Sequence, residues 1–364
     1  LLFTKKMLCF FKIYKYFFWV KMLFITFTKN LFMASFYKLK IKNITRETPS
    51  AISMSFTVPT ELQNAYQFIA GQYITLKLTL DGKEIRRAYS ICSSPDSGEL
   101  RVAIKAVSNG VFSTFANQNL SEGDVLEVSQ PEGNFTLMPV ADSQKNYAAF
   151  VAGSGITPVF SIVKSVLENE PKSTFVLVYG NKSVEETIFY NQISNLKKEF
   201  NNRFFVHYVL SQNLNEADFF GRIDAQVVER VLIEKHKDVV FETYFLCGPE
   251  KMIAEVSSTL KKNNVTDNQI KFELFTSSSS ENKEAANHSG QTAITVLLDG
   301  DSTLFEMNQK ETILEASLKK GIDAPYSCQG GVCSSCLARV TSGTAAMKKN
   351  SILSDKEIED GLIL

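Results

Sequence analysis

YAAFVAGSGITPVFSIVKSVLENE, residues 147–170, is the stretch whose reading decides the fold. Its first seven residues are an unbroken apolar run, as a strand buried on both faces requires. Beyond it, apolar residues recur at helical spacing at Val159, Phe160, Ile162, Val163, Val166 and Leu167. The joint between them is GSGITP, residues 153–158. There a helix N-terminus offers free N–H groups and a partial positive charge, which suits a pyrophosphate. Small residues let such a ligand approach the backbone. A plain strand–helix turn is the competing reading of this loop.

Downstream the alternation repeats. TFVLVYG (174–180), FFVHYVL (204–210) and TYFLCG (243–248) read as strands. ETIFYNQISNLKKEF (186–200), AQVVERVLIEK (225–235) and EKMIAEVSSTLKKN (250–263) read as helices. Strands alternating with helices predict an α/β domain with a parallel sheet, over residues 141–275. In such a sheet ligands sit at the carboxyl ends of the strands. That rule draws attention to Cys247, Gly248 and Met252 in CGPEKM, although a lone cysteine more often packs as a buried thiol.

Upstream the period changes from helical to two. YKLKIKNI, AISMSFTV, QYITLKLTL, EIRRAYSI, LRVAIKAV and DVLEVS are short apolar or alternating runs between turn residues. Asp81-Gly82 is a strong hairpin signal. Six such strands predict a six-stranded antiparallel β-barrel over residues 33–140. In RAYS (87–90), Arg87 and Tyr89 share a face. An aromatic ring beside a cation suits a flavin and its phosphate, and ordinary strand surface is the alternative. NGVFSTF (109–115) enters a short helix and is a second candidate phosphate site.

After the α/β segment, TSSSSENKEAANHSGQ (276–291) has almost no apolar content and reads as a flexible linker. ITVLLDG and STLFEMN then predict a hairpin, and ETILEASLKKG a helix with a glycine stop. YSCQGGVCSSC (326–336) follows, with Cys328, Cys333 and Cys336 at C-x4-C-x2-C spacing. This is the opening of a [2Fe–2S] thiolate set that a fourth cysteine completes. Gly330 and Gly331 let the loop curl around a cluster. A zinc site would want paired C-x2-C units or spaced histidines, and His207, His236 and His288 fit no such spacing.

Lys plus Arg and Asp plus Glu both number 39, so the chain lacks the basic footprint of a nucleic-acid binder. Six cysteines in 364 residues is not disulfide density, and their clustering suits a reducing, cytoplasmic setting. Residues 1–32 are rich in Phe and Lys, and Lys12, Lys15 and Lys21 break every run long enough to span a membrane. Met33 opens a stretch that reads like an ordinary start, so 1–32 is expected to be an extension outside any domain. A membrane-surface segment is the alternative.

Taken together, the motifs of residues 35–275 resemble the ferredoxin–NADP reductase superfamily. Residues 292–364 resemble a plant-type ferredoxin of β-grasp fold, incomplete at its end. The domain order is similar to that of oxygenase reductases of the phenylacetyl-CoA epoxidase type. The resemblance implies an oxidoreductase with FAD, NADPH or NADH as electron donor, a [2Fe–2S] cluster and an oxygenase or epoxidase component as electron acceptor. It implies that Arg87 binds the FAD pyrophosphate, Tyr89 stacks on the flavin and Ser90 hydrogen-bonds near N5. Gly110, Val111, Phe112 and Ser113 would give main-chain contacts to the pyrophosphate. Gly153, Gly155, Thr157 and Pro158 would shape the nicotinamide-nucleotide site, with Cys247, Gly248 and Met252 beside the nicotinamide and Phe275 near the flavin. Asn181, Lys182 and Ser183 follow a strand where an acidic residue would favour a free 2′-hydroxyl; Lys and Ser there favour NADPH. A Rieske-type dioxygenase or demethylase reductase, and a non-catalytic electron-relay fragment, are the alternative readings.

No cysteine follows Cys336 in this sequence. The expectation is that a chain ending at Leu364 assembles its cluster poorly and a longer one assembles it well. Equal iron contents would refute it.

Overall fold

The computed structural model describes residues 23–27, 36–212, 217–275, 290–298, 301–322, 324–326, 330–331, 335–350 and 352–364. The predicted linker falls almost wholly outside these residues, as do Cys328 and Cys333.

Strand β1 is Leu23–Phe27, and its partners lie in the last sheet. The barrel follows as β2 (Phe36–Thr48), β3 (Ala51–Thr57), β4 (Tyr73–Leu80), β5 (Lys83–Ser90), β6 (Leu100–Lys105), helix α1 (Val111–Asn119) and β7 (Val125–Ser129). The six strands are ordered β5-β4-β7-β2-β3-β6, and all neighbours are antiparallel. A bridge from Ile91, just past β5, to Val102 in β6 brings the two edges together. Leu39, Ile41, Ile52, Met54, Phe56, Ile74, Leu76, Val102, Ile104 and Val128 fill the interior. These are alternate residues of their strands, as period-two patterning demands. At the β4–β5 turn both Asp81 (φ 49°) and Gly82 (φ 74°) are left-handed, the pair a two-residue hairpin of matching twist needs.

The α/β segment runs β8 (Asn146–Ala152), α2 (Ile156–Asn169), β9 (Thr174–Asn181), α3 (Tyr190–Glu199), β10 (Phe204–Leu210), β11 (Phe219–Phe220), α4 (Ala225–Glu229), β12 (Thr243–Cys247), α5 (Glu250–Lys262) and β13 (Ile270–Glu273). The sheet order is β11-β10-β9-β8-β12-β13, parallel throughout. Strand β8 is buried on both faces: Tyr147, Ala149 and Val151 join one core, Ala148 and Phe150 the other. Strand order reverses between β8 and β12, which is where a doubly wound sheet opens its binding crevice. The helix expected from Glu186 begins only at Tyr190, because Phe189 adopts φ 63° and cannot sit inside a helical turn.

The first core also takes in Ala51, Ala70, Cys92, Ala103, Phe135 and Leu137 from the barrel side. Barrel and sheet therefore share one interior. Hydrogen bonds reinforce it: Ser161 Oγ donates to Ser93 O (2.6 Å) and Lys271 Nζ to Thr136 O (2.8 Å).

The C-terminal unit holds β14 (Gln291–Leu298), β15 (Asp301–Asn308), α6 (Ile313–Lys319), β16 (Ala338–Ser342), α7 (Asp355–Glu359) and β17 (Leu362–Ile363). Thr312 and Glu315 form a capping box at the start of α6, and Gly321 (φ 76°) follows its end. Its core is Ile294, Val296, Phe305, Met307, Ala316, Ala324 and Ala338. The sheet order is β15-β14-β1-β16-β17. Leu23–Phe27 thus lies between two strands of this unit, parallel to β14 and antiparallel to β16. The expectation that residues 1–32 stand outside any domain does not hold for these five, whose backbone groups complete two ladders.

Candidate flavin and nucleotide site

A cavity of about 1200 Å³ lies between the barrel and the carboxyl edge of the parallel sheet. Sites for drug-sized ligands usually measure about 300–1,000 Å³, so this space suits something larger, such as a dinucleotide with a second nucleotide beside it.

From the barrel, β5 supplies Arg87, Tyr89 and Ser90. Alternation on β5 sends Arg86 to the other side, where it is 7 % exposed, while Arg87 is exposed and faces the cavity. The Tyr89 ring packs 5.6 Å from that of Phe112, giving an aromatic wall. Burial pushes the Tyr89 phenol above its ordinary range, with Arg87 opposing, so it stays protonated. Gly110, Val111, Phe112 and Ser113, at the start of α1, also line the cavity.

From the sheet, the β8–α2 turn supplies Gly153, Gly155 and Thr157. Gly153 is left-handed at φ 55°. A Cβ on Gly155 would stand 2.1 Å from the Cys247 carbonyl oxygen, so only glycine lets this turn rest on β12. Asn181 and Lys182, at and just past the end of β9, and Gly248 and Met252, past the end of β12, complete this wall. Asn181 Nδ2 is buried with no hydrogen-bond partner among the described residues, a donor that a bound ligand would satisfy.

Three anticipated residues do not line the cavity. Pro158 is buried within α2, Ser183 accepts from the Thr187 hydroxyl through its carbonyl, and Cys247 is 0 % exposed behind the wall. Burial drives the Cys247 thiol well above its ordinary value, so it is a neutral thiol rather than a thiolate. Phe275, also anticipated, does line the cavity.

Sequence reasoning missed Glu273. It ends β13 directly beside Cys247 and lines the cavity. Ser90 Oγ donates to its Oε2 at 3.5 Å. Burial raises its pKa to about 8, the Ser90 contact pulling the other way, so the carboxyl is largely protonated at neutral pH. The available signal was an acid inside the apolar strand IKFELF. Arg222, Asp224, Lys251 and Glu255 were also missed; all line the nucleotide end.

These walls fit a flavin and a nicotinamide nucleotide: an aromatic face, a glycine-lined approach to backbone N–H groups, cationic side chains and an unpaired buried donor. The iron–sulfur site is only partly within the described residues. Cys336 is 6 % exposed and is not in a disulfide. Gly331 is left-handed at φ 66°, and a Cβ there would stand 2.5 Å from the Lys349 carbonyl oxygen. A buried cysteine and a left-handed glycine in this segment are compatible with a cluster ligand set. Among the described residues no helix is long and apolar enough to cross a membrane.

Comparison with known proteins agrees with this division. The oxidoreductase FAD-binding domain model matches residues 38–137, the oxidoreductase NAD-binding domain model residues 150–258, and the 2Fe-2S iron-sulfur cluster binding domain model residues 296–364. The chain is 36 % identical over 335 residues to a 1,2-phenylacetyl-CoA epoxidase component of Escherichia coli, covering 91 % of this chain and 94 % of that protein. It is 32 % identical to the ferredoxin reductase component of 3-ketosteroid-9-alpha-monooxygenase from Rhodococcus rhodochrous, covering 90 % and 92 %. Among solved structures, phthalate dioxygenase reductase superposes with a TM-score of 0.58 at 25 % identity, covering 90 % of this chain and 92 % of that one. The chain therefore belongs to the ferredoxin–NADP reductase superfamily, in the branch of oxidoreductases that move electrons from NAD(P)H through FAD and a [2Fe–2S] cluster to an oxygenase.

Proposed function

We propose that this chain is a cytoplasmic reductase that draws electrons from NADPH and serves an epoxidase of the phenylacetyl-CoA type. The observation that carries the electron-entry half is the meeting of Tyr89 and Ser90 with Gly248 and Glu273 in one cavity, from barrel and sheet respectively. The acceptor rests on the likeness to the Escherichia coli epoxidase component across nearly the whole of both chains.

When bound, FAD would supply the chemistry that couples a two-electron hydride donor to a one-electron acceptor such as the cluster. The protein's part is binding, orientation and exclusion of water. Tyr89 and Phe112 form the apolar wall for a flat ring, and Arg87 with the α1 N-terminus (Gly110, Val111, Ser113) holds the pyrophosphate. Gly153, Gly155 and Thr157 open the turn to the second nucleotide, with Pro158 buried in the first turn of α2 behind them. Ser90 Oγ donates to Glu273 and would keep its lone pairs to accept a hydrogen bond at the ring edge. A protonated Glu273 keeps that dry edge uncharged, where a carboxylate would repel incoming negative charge. Cys247 supports Gly248 from behind without touching the ligand, and Met252 closes the apolar side. Lys182 and Asn181 would receive the 2′-phosphate, while Ser183, next in the loop, stands off the cavity. Cys328, Cys333 and Cys336 supply three of the cluster's thiolates.

The test is reconstitution with the oxygenase components of a phenylacetyl-CoA epoxidase. NADPH-dependent epoxide formation supports the reading. Flavin reduction without epoxide, but with turnover of a Rieske oxygenase, would move the acceptor to that class. Lys182→Ala should raise KM for NADPH several-fold and leave NADH nearly unaffected; equal effects would remove the 2′-phosphate assignment.

A further inference from the structure

We propose that Tyr73 and Ser335 form the contact that seats the cysteine loop against the flavin cavity, which makes Tyr73 a positioning residue for electron transfer between the two cofactors. The proposal rests on the electron path given above. Ser335 lies between Cys333 and Cys336, the second and third cysteines of the loop. Its Oγ is 3.0 Å from the Tyr73 hydroxyl, 262 residues away in sequence.

Tyr73 is held rigidly at this spot. It opens β4, pairs with Ser90 of the flavin wall across the ladder, and itself lines the cavity. Its backbone exchanges two hydrogen bonds with Glu132, at 2.8 and 2.9 Å. Tyr73 is 4 % exposed, and its ring lies against Gly133, where a Cβ would come within 3.0 Å of Cδ1. The hydroxyl donates to Glu132 Oε2 at 3.4 Å, which leaves its lone pairs to accept from Ser335. Burial raises the Glu132 pKa, so the group beneath Tyr73 resists ionisation.

A second contact ties the other flank of the loop to the same barrel edge. Tyr326, two residues before Cys328, lies under the Arg86 guanidinium at 4.5 Å from ring centroid to Cζ. Its hydroxyl donates to Glu84 Oε1 at 3.4 Å. Modules on one chain move relative to each other unless something holds them. Here both flanks of the cysteine loop meet the β4–β5 hairpin, and one contact belongs to a residue of the cavity wall. Electron transfer weakens steeply with separation, so loss of the seat should appear in that step.

The experiment uses the full chain loaded with FAD and with its cluster reconstituted, each rate being taken per cluster from the measured iron content. Ser335→Ala should leave reduction of the flavin by NADPH unchanged and slow flavin-to-cluster transfer about five-fold, the size of effect one lost hydrogen bond gives. Tyr73→Phe should slow that transfer equally, and the double variant should be no slower than either single one. A second readout needs no electrons: in the FAD-loaded chain, amides of residues 335–337 should exchange faster in both variants. Unchanged transfer with unchanged exchange, or slowing that multiplies in the double variant, would overturn the seat. If NADPH fails to reduce the flavin of the unaltered protein, the electron path itself is wrong instead.

Discussion

At Glu273 the chemistry of one side chain depends on surroundings drawn from three strands. Cys247 of β12 stands beside it, Ser90 of β5 faces it, and only that serine's hydrogen bond opposes the effect of burial on its charge. A carboxyl whose pKa rises on folding, from the ordinary 4.5 to about 8, contributes stability that is complete below pH 4.5 and is lost as pH climbs towards 8. Between those values the folded state binds more protons than the unfolded, so stability falls with pH by up to about 1.4 kcal/mol per unit. Glu273→Gln should flatten that slope and raise the midpoint of thermal unfolding at pH 8.5 more than at pH 5. A parallel shift at both pH values would mean that Glu273 is not protonated in the folded protein. The glutamine should also keep the cavity edge neutral, so hydride transfer should slow above about pH 8 in the unaltered protein and stay level in the variant. None of this was legible locally: the sequence marks an acid in an apolar strand, but Ser90 lies 183 residues away.

At the scale of elements, two glycines separate two kinds of constraint. Gly82 is left-handed at φ 74°, and a Cβ there would meet nothing within 4 Å. Gly82→Ala should therefore cost only backbone strain, about 1 kcal/mol, read as a small shift in the denaturation midpoint. Gly155 has ordinary helical φ, but its Cβ would collide with the Cys247 carbonyl. Gly155→Ala should cost more, about 1–3 kcal/mol, and weaken nucleotide binding as well, because the β8–α2 turn must move off β12. Equal costs for the two changes would contradict this distinction. Both glycines stood out in the sequence, and so did the strands and helices around them, because hydrophobic period and turn chemistry are local. The start of α3 did not, because the left-handed residue at Phe189 has no sequence mark. Strand β1 was missed for a related reason: its ladder partners lie in β14 and β16, near the other end of the chain.

At the scale of the molecule, barrel and parallel sheet act as one body because they share a core. Phe135 and Leu137, at the end of the barrel segment, are buried among Tyr147, Ile162 and Phe245 of the α/β segment. Residues 36–140 expressed alone should expose that surface and aggregate. Residues 36–275 should remain soluble, bind FAD and reduce ferricyanide with NADPH. A stable, monomeric barrel fragment would show the shared core to be dispensable. The cavity exists only in the joined body, since one wall comes from each part.

The sequence alone carried the repeating pattern of each segment, the glycine turn after the first parallel strand, the Arg-Tyr-Ser face and the thiolate spacing, because each is a local consequence of backbone geometry or ligand chemistry. Tertiary structure decided which distant groups meet. It buried Cys247 behind the cavity wall, raised Glu273 above neutrality, laid Leu23–Phe27 beside β14 and brought Tyr73 to Ser335. Desolvation and close contact depend on neighbours hundreds of residues away, and no short window of sequence contains them.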